Sequence, residues 1–252
     1  MLTTNEQLKY QRQIMLKQIG ESGQLALQKS KVLIVGLGGL GHPVAMYLAA
    51  AGIGELFLAD GDDVDVSNLQ RQVLFSQQDI GENKAQLVAD KLLVQNPDVD
   101  IEVIDEMLDE ETAEYYCSLV DIVIDCTDNI NTRLILNKVS YEHGKTLISG
   151  AATGFDGQCF VLNRLSSEDK TPAHGCYQCL IPSEQDVPAR NCATVGIIGP
   201  ILGIVGSMQA LMCIKTIVGL NVPSHQLMVF DGMFQQWQSF NLTANQHCPV
   251  CR

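Results

Sequence analysis

The sequence predicts an α/β fold, built on a doubly wound, mostly parallel sheet with helices on both faces. Up to residue 150, short apolar segments alternate with longer helix-forming segments, and the first apolar segment runs into the glycine-rich turn "GLGGLG". Beyond residue 150, apolar and polar residues alternate, which is typical of half-exposed antiparallel strands. We therefore expect one continuous domain over residues 1–252, with N-terminal helices (1–30), a Rossmann-like core (31–150) and a C-terminal elaboration (151–252).

The elements of the expected core follow in order, without an internal repeat. Residues 5–29 are expected to be helical, because apolar residues recur there among polar ones. Strands are then expected at "KVLIV" (31–35), "ELFLAD" (55–60), "VDIEVID" (99–105), "DIVIDCTD" (121–128) and "KTLISGAA" (145–152). Between them, helices are expected at "HPVAMYLAAAG" (42–52), "NKAQLVADKLLVQNP" (83–97), "ETAEYYCSLV" (111–120) and "NTRLILNKVSYEHG" (131–144).

The C-terminal elaboration has a different pattern. Antiparallel strands are expected in "GQCFVLNRL" (157–165) and in "QLMVFDGMFQQWQSFNL" (226–242). Between them lie an irregular, proline-containing segment (165–192) and the uncharged segment 193–214, which is long enough to cross a bilayer. Its glycines also allow close packing in a soluble core, and it lacks a basic flank. We expect a buried core or interface helix and no membrane association.

The composition excludes several classes of protein. Hydrophobic residues make up 46% and charged residues 18% of the chain, which is typical of a folded globular protein. A formal net charge of −13 argues against a nucleic-acid-binding surface, which needs clustered basic residues. No secretory signal is visible at the start, and nine cysteines suggest the reducing cytosol, so we expect a cytoplasmic protein.

The turn after the first strand predicts a nucleotide site. Its glycines, Gly36, Gly38 and Gly41, let a phosphate approach the backbone N–H groups at a helix N-terminus. Asp60 ends the second strand, 24 residues after Gly36, near the offset at which an acid binds a ribose hydroxyl. A purely structural turn is the alternative, and the turn alone would also suit an NAD-dependent oxidoreductase.

Polar residues downstream of the turn favour ATP over NAD. The segment 60–72, "DGDDVDVSNLQRQ", carries acids and Arg71, and Lys84 and the acidic "DCTDN" (125–129) follow. These residues lie at or beyond the carboxyl ends of the expected strands, where ligands bind in open α/β sheets. Two cations, several acids and a phosphate turn suit a triphosphate with Mg²⁺. Solvated surface charge is the alternative for any one of them.

Two C-x-x-C pairs predict a metal site. "CYQC" contributes Cys176 and Cys179, and "CPVC" contributes Cys248 and Cys251. Four thiolates are the ligand pattern of a closed, structural zinc site, which would tie the C-terminus to the irregular segment. A redox C-x-x-C is the alternative. Cys192 follows Arg190 in "PARNCATVG", and a nearby cation lowers the pKa of a thiol, which makes this cysteine a candidate reactive residue.

These motifs together resemble the ThiF/MoeB family of ubiquitin-activating-type adenylyltransferases. The resemblance spans nearly the whole chain and is carried by "YQRQIML", "GLGGLG", "SNLQRQ", Lys84, "DCTDN" and the C-x-x-C pairs. It implies adenylation of the C-terminal glycine carboxylate of a ubiquitin-like sulfur carrier protein. "RNCATVGIIGP" and "FDGMFQQWQS" look closest to thiamine-pathway members, with the molybdopterin-pathway members as the near alternative.

The resemblance also implies roles for individual residues. Gly39 would contact the phosphates and Asp60 the ribose, while Asn68, Arg71 and Lys84 would hold the triphosphate. Asp128 would bind Mg²⁺, and Asn129 would help shape the site. The four paired cysteines would bind zinc.

Further implications concern partners. Arg12 resembles the arginine that reaches into the partner subunit's site, which implies a homodimer. Cys192 resembles a loop cysteine that forms an acyl-disulfide with the carrier. The carrier would end in Gly-Gly, and a sulfurtransferase or cysteine desulfurase would supply sulfur. Two more remote alternatives remain. One is an NAD-dependent oxidoreductase, and the other is a non-catalytic binding module that is stabilised by zinc.

Overall fold

The computed structural model describes residues 1–163, 174–181 and 196–252. Eight strands form one sheet in the order β3-β2-β1-β4-β5-β6-β7-β8. The first five pair in parallel and the last three antiparallel, which confirms the predicted fold class. The strands are β1 (Lys31–Val35), β2 (Glu55–Ala59), β3 (Asp100–Ile104), β4 (Ile122–Asp125), β5 (Thr146–Thr153), β6 (Asp156–Leu162), β7 (Gln226–Asp231) and β8 (Gln236–Asn241).

Helices cover both faces of the sheet, and two hydrophobic clusters fill the spaces beneath them. The central strands are continuous apolar runs because both of their faces are buried. The described helices are α1 (Thr4–Lys9), α2 (Gln11–Ile14), α3 (Gly20–Lys29), α4 (Gly41–Ala51), α5 (Lys84–Gln95), α6 (Glu110–Leu119), α7 (Ile130–Glu142), α8 (Tyr177–Leu180) and α9 (Gly199–Ile217).

The N-terminal region is helical, as expected for residues 5–29. It is broken into α1, α2 and α3, with a turn between α2 and α3. Gly20 begins α3 with a φ of +58°, a left-handed conformation that interrupts a right-handed helix. The break allows Tyr10 and Gln24 to pack together against the end of α4.

The apolar segment forms the core helix α9, which begins at Gly199, later than expected. It is long and apolar enough to span a membrane by length and composition. However, α9 packs against α4, β5 and β6, and Val205, Gln209 and Cys213 are fully buried. Gly206 allows the closest approach, because a Cβ there would lie 2.5 Å from the carbonyl oxygen of Leu40. This packing is that of the predicted core helix.

Candidate functional site

Three segments meet at the carboxyl edge of the parallel sheet. They are the glycine turn after β1, the loop after β2 and the "DCTDN" loop after β4. Because β1 lies between β2 and β4, the three segments are neighbours at the edge where ligands bind in open α/β folds.

The glycine turn is closed by backbone contacts that exclude side chains. Gly36 has a φ of +88°, and its N–H donates to the carbonyl oxygen of Ala59 at 2.8 Å. A Cβ on Gly41 would lie only 2.1 Å from the carbonyl oxygen of Gly36. Gly39 faces α9 and the next loop, since a Cβ there would lie 2.5 Å from Leu202 Cδ1. Larger side chains at Gly36, Gly39 and Gly41 would therefore disturb the backbone path from β1 into α4.

Asp60 holds this turn in place. Its Oδ2 accepts a hydrogen bond from the N–H of Leu37 at 2.6 Å, and its Oδ1 accepts one from the N–H of Asp62 at 3.0 Å. Burial raises the pKa of Asp60, and the charge of nearby Lys84 counteracts part of that rise. The ribose role predicted for Asp60 stays a prediction; the structure adds a second role, as the link between turn and loop.

The loop after β2 runs close to the glycine turn. Asn68 is buried in a 3₁₀ turn, and its Oδ1 accepts a hydrogen bond from the N–H of Asp65 at 3.3 Å. Arg71 donates through Nη1 to the carbonyl oxygen of Ser67 at 2.8 Å, which orients the guanidinium along the loop. The carbonyl oxygen of Arg71 lies 3.3 Å from a Cβ built on Gly39, so the backbones of these two residues are adjacent; their phosphate roles stay predictions.

Lys84 is a buried cation at the first residue of α5. Its Nζ lies 2.8 Å from Oδ2 of Asp62, and its backbone N–H donates to the carbonyl oxygen of Asp62 at 3.0 Å. The Asp62 side chain is mostly exposed, whereas the Lys84 side chain is 7% exposed. A buried ammonium whose carboxylate partner can move into solvent is available to a bound anion.

Asp128 and Asn129, the last two residues of the "DCTDN" loop, occupy different environments. Asp128 is exposed, and its carboxylate makes no hydrogen bond or ion pair with any residue in the described ranges. Asn129 caps α7, because its Oδ1 accepts hydrogen bonds from the N–H groups of Asn131 at 2.8 Å and Thr132 at 3.4 Å. Asn129 fixes the start of the helix, whereas the Mg²⁺ role of Asp128 stays a prediction.

Sequence reasoning missed His42, which follows the glycine turn. His42 is fully buried, and its Nδ1 accepts a hydrogen bond from the N–H of Leu74 at 3.2 Å. This bond joins the start of α4 to the loop that carries Arg71. Burial lowers the pKa of His42 to about 3, so the imidazole is neutral. In the sequence, His42 is marked only as a polar residue at the start of an otherwise apolar helix.

Sequence reasoning also missed a buried ion pair beneath the "DCTDN" loop. Arg133 Nε lies 3.7 Å from Asp125 Oδ2, and both side chains are almost fully buried. Asp125 Oδ2 also accepts a hydrogen bond from the Ser149 hydroxyl at 2.5 Å. Gln209 of α9 donates through Nε2 to the carbonyl oxygen of Asp125 at 2.8 Å. The spacing of Asp125 and Arg133 matched no motif, so only the fold reveals the pair.

Arg12 does not join these residues within one chain. It is exposed on α2 and borders a shallow depression with Tyr10 and Ala50. Ala50 lies in the last turn of α4, nine residues beyond Gly41, or about 14 Å along a helix that rises 1.5 Å per residue. Arg12 thus lies at the opposite end of α4 from the glycine turn.

The four paired cysteines form one cluster, with all Sγ atoms within 4.8 Å of one another. Cys176 and Cys248 are 3.6 Å apart, Cys179 and Cys251 are 3.5 Å apart, and none forms a disulfide. A tetrahedral zinc ion with Zn–S distances of 2.3 Å requires S–S distances of about 3.8 Å, so the cluster fits zinc.

Burial disfavours the thiolate form of two cysteines in the cluster. Burial raises the pKa of the Cys176 thiol to about 11 and raises that of Cys251 as well. A divalent metal would stabilise the thiolates that its binding requires. Cys192, the predicted reactive cysteine, lies outside the described residues.

Comparison with known proteins decides the family. The model of the ThiF family matches residues 10–250. The chain belongs to the ThiF family. The family predicted from the sequence motifs is thereby confirmed.

Two curated relatives of this ThiF-family chain cover nearly all of it. The Sulfur carrier protein ThiS adenylyltransferase of Escherichia coli (strain K12) is 44% identical over 97% of this chain and 94% of that protein. The Molybdopterin-synthase adenylyltransferase of the same organism is 39% identical over 99% of this chain and 98% of that protein. Among solved structures, E. coli MccB with MccA-N7isoAsn matches with a TM-score of 0.82 and 24% identity, covering 97% of this chain and 75% of that chain. At that identity the likeness shows the fold alone.

Proposed function

We propose that this ThiF-family chain uses ATP to adenylate the C-terminal glycine carboxylate of a ubiquitin-like sulfur carrier protein, with release of pyrophosphate. The observation that carries the proposal is that the glycine turn, the loop that carries Arg71 and leads to Lys84, and the loop that carries Asp128 follow three neighbouring strands at one edge of the sheet. The E. coli relative named for ThiS favours the thiamine-pathway carrier.

The chemistry needs charge neutralisation more than a base. A C-terminal carboxylate has a pKa of about 3.5, so it is already ionised at neutral pH. Its oxygen forms a bond to the α-phosphorus of ATP, the bond from that phosphorus to the bridging oxygen breaks, and pyrophosphate leaves. Both reactants are anions, so the enzyme must position them and neutralise their charge.

The residues at the carboxyl edge suit this task. The N–H groups of the glycine turn, near Gly39, would hold phosphate oxygens, and Asn68 and Arg71 lie in the adjacent loop. Lys84 would exchange Asp62 for the triphosphate. Asp128 would hold Mg²⁺, which would neutralise phosphate charge, and Asn129 keeps the loop in place by capping α7.

Two further residues act through other chains in this proposal. Arg12 would enter the site of a partner subunit in a homodimer, since in its own chain it lies at the far end of α4. A sulfurtransferase or cysteine desulfurase carrying a persulfide would displace AMP from the acyl-adenylate through its outer sulfur. The Cys192 thiol would then displace the donor's thiol, which leaves an acyl-disulfide between the carrier and Cys192. Zinc in the four-cysteine cluster would be structural, and the protein would act in the cytoplasm, where its thiols stay reduced.

ATP–pyrophosphate exchange tests this function. Exchange should appear only when a carrier ending in Gly-Gly is added, because the carboxylate is the nucleophile. Asp128→Ala should reduce exchange by about 100-fold or more while the protein stays folded. Asp90→Ala removes an exposed carboxylate from the middle of α5 and is the matched control. Absence of exchange with every such carrier would refute the proposal.

The molybdopterin-pathway carrier is the second candidate substrate. The 39% identity to Molybdopterin-synthase adenylyltransferase over nearly the whole length of both chains favours it. Exchange assays with the thiamine-type and the molybdopterin-type carrier, run side by side, separate the two. A higher kcat/KM with the molybdopterin-type carrier would exclude the thiamine-pathway assignment.

A further inference from the structure

Arg133 lies at the junction between the "DCTDN" loop and the four-cysteine cluster, which the proposed mechanism treats as separate. It is a buried residue in the first turns of α7, paired with buried Asp125 at the end of β4. A buried ion pair stabilises a fold poorly compared with apolar packing, and such pairs are retained in some proteins because they specify one arrangement. The contacts of this pair indicate which arrangement it specifies.

Both partners of the ion pair hold the residue that precedes Asp128. Arg133 Nη2 donates to the carbonyl oxygen of Thr127 and, at 2.7 Å, to that of Gly150. Asp125 Oδ1 accepts from the N–H of Thr127 at 3.0 Å and from its hydroxyl at 2.7 Å. The Asp128 side chain makes no bond to the described residues, so its position depends on the backbone that this pair holds.

Tyr177 lies next to Cys176 in the first C-x-x-C pair and close to Arg133. Burial raises the pKa of the Tyr177 hydroxyl, and the charge of Arg133 counteracts part of that rise. One turn further along α7, Asn137 Oδ1 accepts from the N–H of Tyr177 at 2.9 Å. Asn137 Nδ2 lies 3.5 Å from the Cys176 sulfur. Helix α7 thus contacts the cysteine cluster through two residues on one face.

We propose that Arg133 is a positioning residue that fixes the cation-binding geometry of Asp128, and that Tyr177 transmits the arrangement of the cysteine cluster to it. The proposal rests on the proposed role of Asp128 as the Mg²⁺ ligand. In this account the cluster does more than hold the C-terminus, since it helps to set the affinity of the nucleotide site for Mg²⁺.

The test is binding of a fluorescent ATP analogue, titrated with Mg²⁺, in three variants. Arg133→Lys keeps the charge but loses the planar guanidinium that bonds to two carbonyl groups. It should raise the half-saturating Mg²⁺ concentration about five- to tenfold, with little change in binding without Mg²⁺. Tyr177→Phe should raise it about two- to threefold. Thr127→Val removes the hydroxyl bonds to Asp125 and, at 3.4 Å, to the carbonyl oxygen of Asn129. It should raise the half-saturating Mg²⁺ concentration as well and serves if Arg133→Lys fails to fold.

Two controls separate positioning from general destabilisation. Tyr116→Phe removes a tyrosine hydroxyl from α6 and should leave the Mg²⁺ dependence unchanged. Zinc content should stay at the wild-type level in every variant. If Tyr177 acts through Arg133, the double variant should match Arg133→Lys alone, whereas independent effects would multiply.

The outcomes distinguish this proposal from the proposed function. An unchanged Mg²⁺ dependence in folded Arg133→Lys and Thr127→Val would overturn the positioning role, even with normal pyrophosphate exchange. Multiplying effects in the double variant would overturn the role of Tyr177. Failure of exchange with every carrier, together with altered Mg²⁺ dependence of nucleotide binding, would refute the carrier reaction and leave the positioning role supported.

Discussion

The buried histidine at the glycine turn leads to a quantitative prediction about acid stability. Burial lowers the pKa of His42 to about 3 in the folded protein, against 6.5 for an unperturbed histidine. Between these values the unfolded chain binds a proton that the folded chain does not. The contribution of His42 to stability is therefore fully present above pH 6.5 and is lost as the pH falls toward 3.

The size of this effect follows from the two pKa values. Integrating proton uptake by the unfolded chain from pH 7 to pH 5 lowers the free energy of unfolding by about 2 kcal/mol. Over the whole window the loss approaches about 5 kcal/mol, at 1.36 kcal/mol for each unit of pKa. The free energy of unfolding of a typical folded protein is only about 5–15 kcal/mol. Protonation of this one residue can therefore decide whether the protein stays folded at low pH.

Urea unfolding of the wild type and His42→Asn at pH 7, 6 and 5 measures the effect. The Asn side-chain oxygen can still accept the hydrogen bond from the N–H of Leu74. The variant loses packing and is less stable at pH 7, but its stability should fall by about 2 kcal/mol less between pH 7 and pH 5. His143→Asn, at a partly exposed histidine, controls for the loss of one imidazole. Equal pH dependence in the wild type and His42→Asn would refute the reasoning.

Three further substitutions test other parts of the account. Gly41→Ala places a Cβ 2.1 Å from the Gly36 carbonyl oxygen, so nucleotide binding, measured by titration calorimetry, should be lost; normal affinity would mean that the turn can rearrange. Cys248→Ser should reduce bound zinc well below one ion per chain in metal analysis, and full zinc content would exclude the four-cysteine site. Gln209→Leu leaves the Asp125 carbonyl oxygen without its 2.8 Å donor and should lower the free energy of unfolding in urea by about 1–3 kcal/mol; an unchanged value would mean that this bond is dispensable.

The parts of the fold that sequence predicts well are those with strong local patterns. The strands β1 and β4 are uninterrupted apolar runs, and the motifs that follow them hold Gly39 and Asp128 at the ends of neighbouring strands. Parallel strands place their carboxyl ends at one edge, so the position of the site follows from the strand order. The cysteine spacing likewise predicted a cluster that the fold brings together.

The parts that sequence misses depend on contacts between distant residues. His42 reaches the N–H of Leu74, and Arg133 reaches Asp125 and Tyr177, through a fold that no short motif encodes. Strands β6, β7 and β8 extend the parallel sheet from β5, and this arrangement depends on tertiary packing. The division of the N-terminal region into three helices depends on it as well. The role proposed for Arg12 requires a second chain, so contacts within one chain do not test it.

Intact-mass measurement of the carrier tests the central claim most directly. A thiamine-type carrier ending in Gly-Gly is incubated with this protein, ATP and Mg²⁺, with pyrophosphatase present to draw the reaction forward. The account predicts that the carrier gains the mass of one adenylyl group at its C-terminus, and that Asp128→Ala prevents this gain. A carrier that stays unmodified with the wild-type protein, while the protein binds ATP and remains folded, would contradict it.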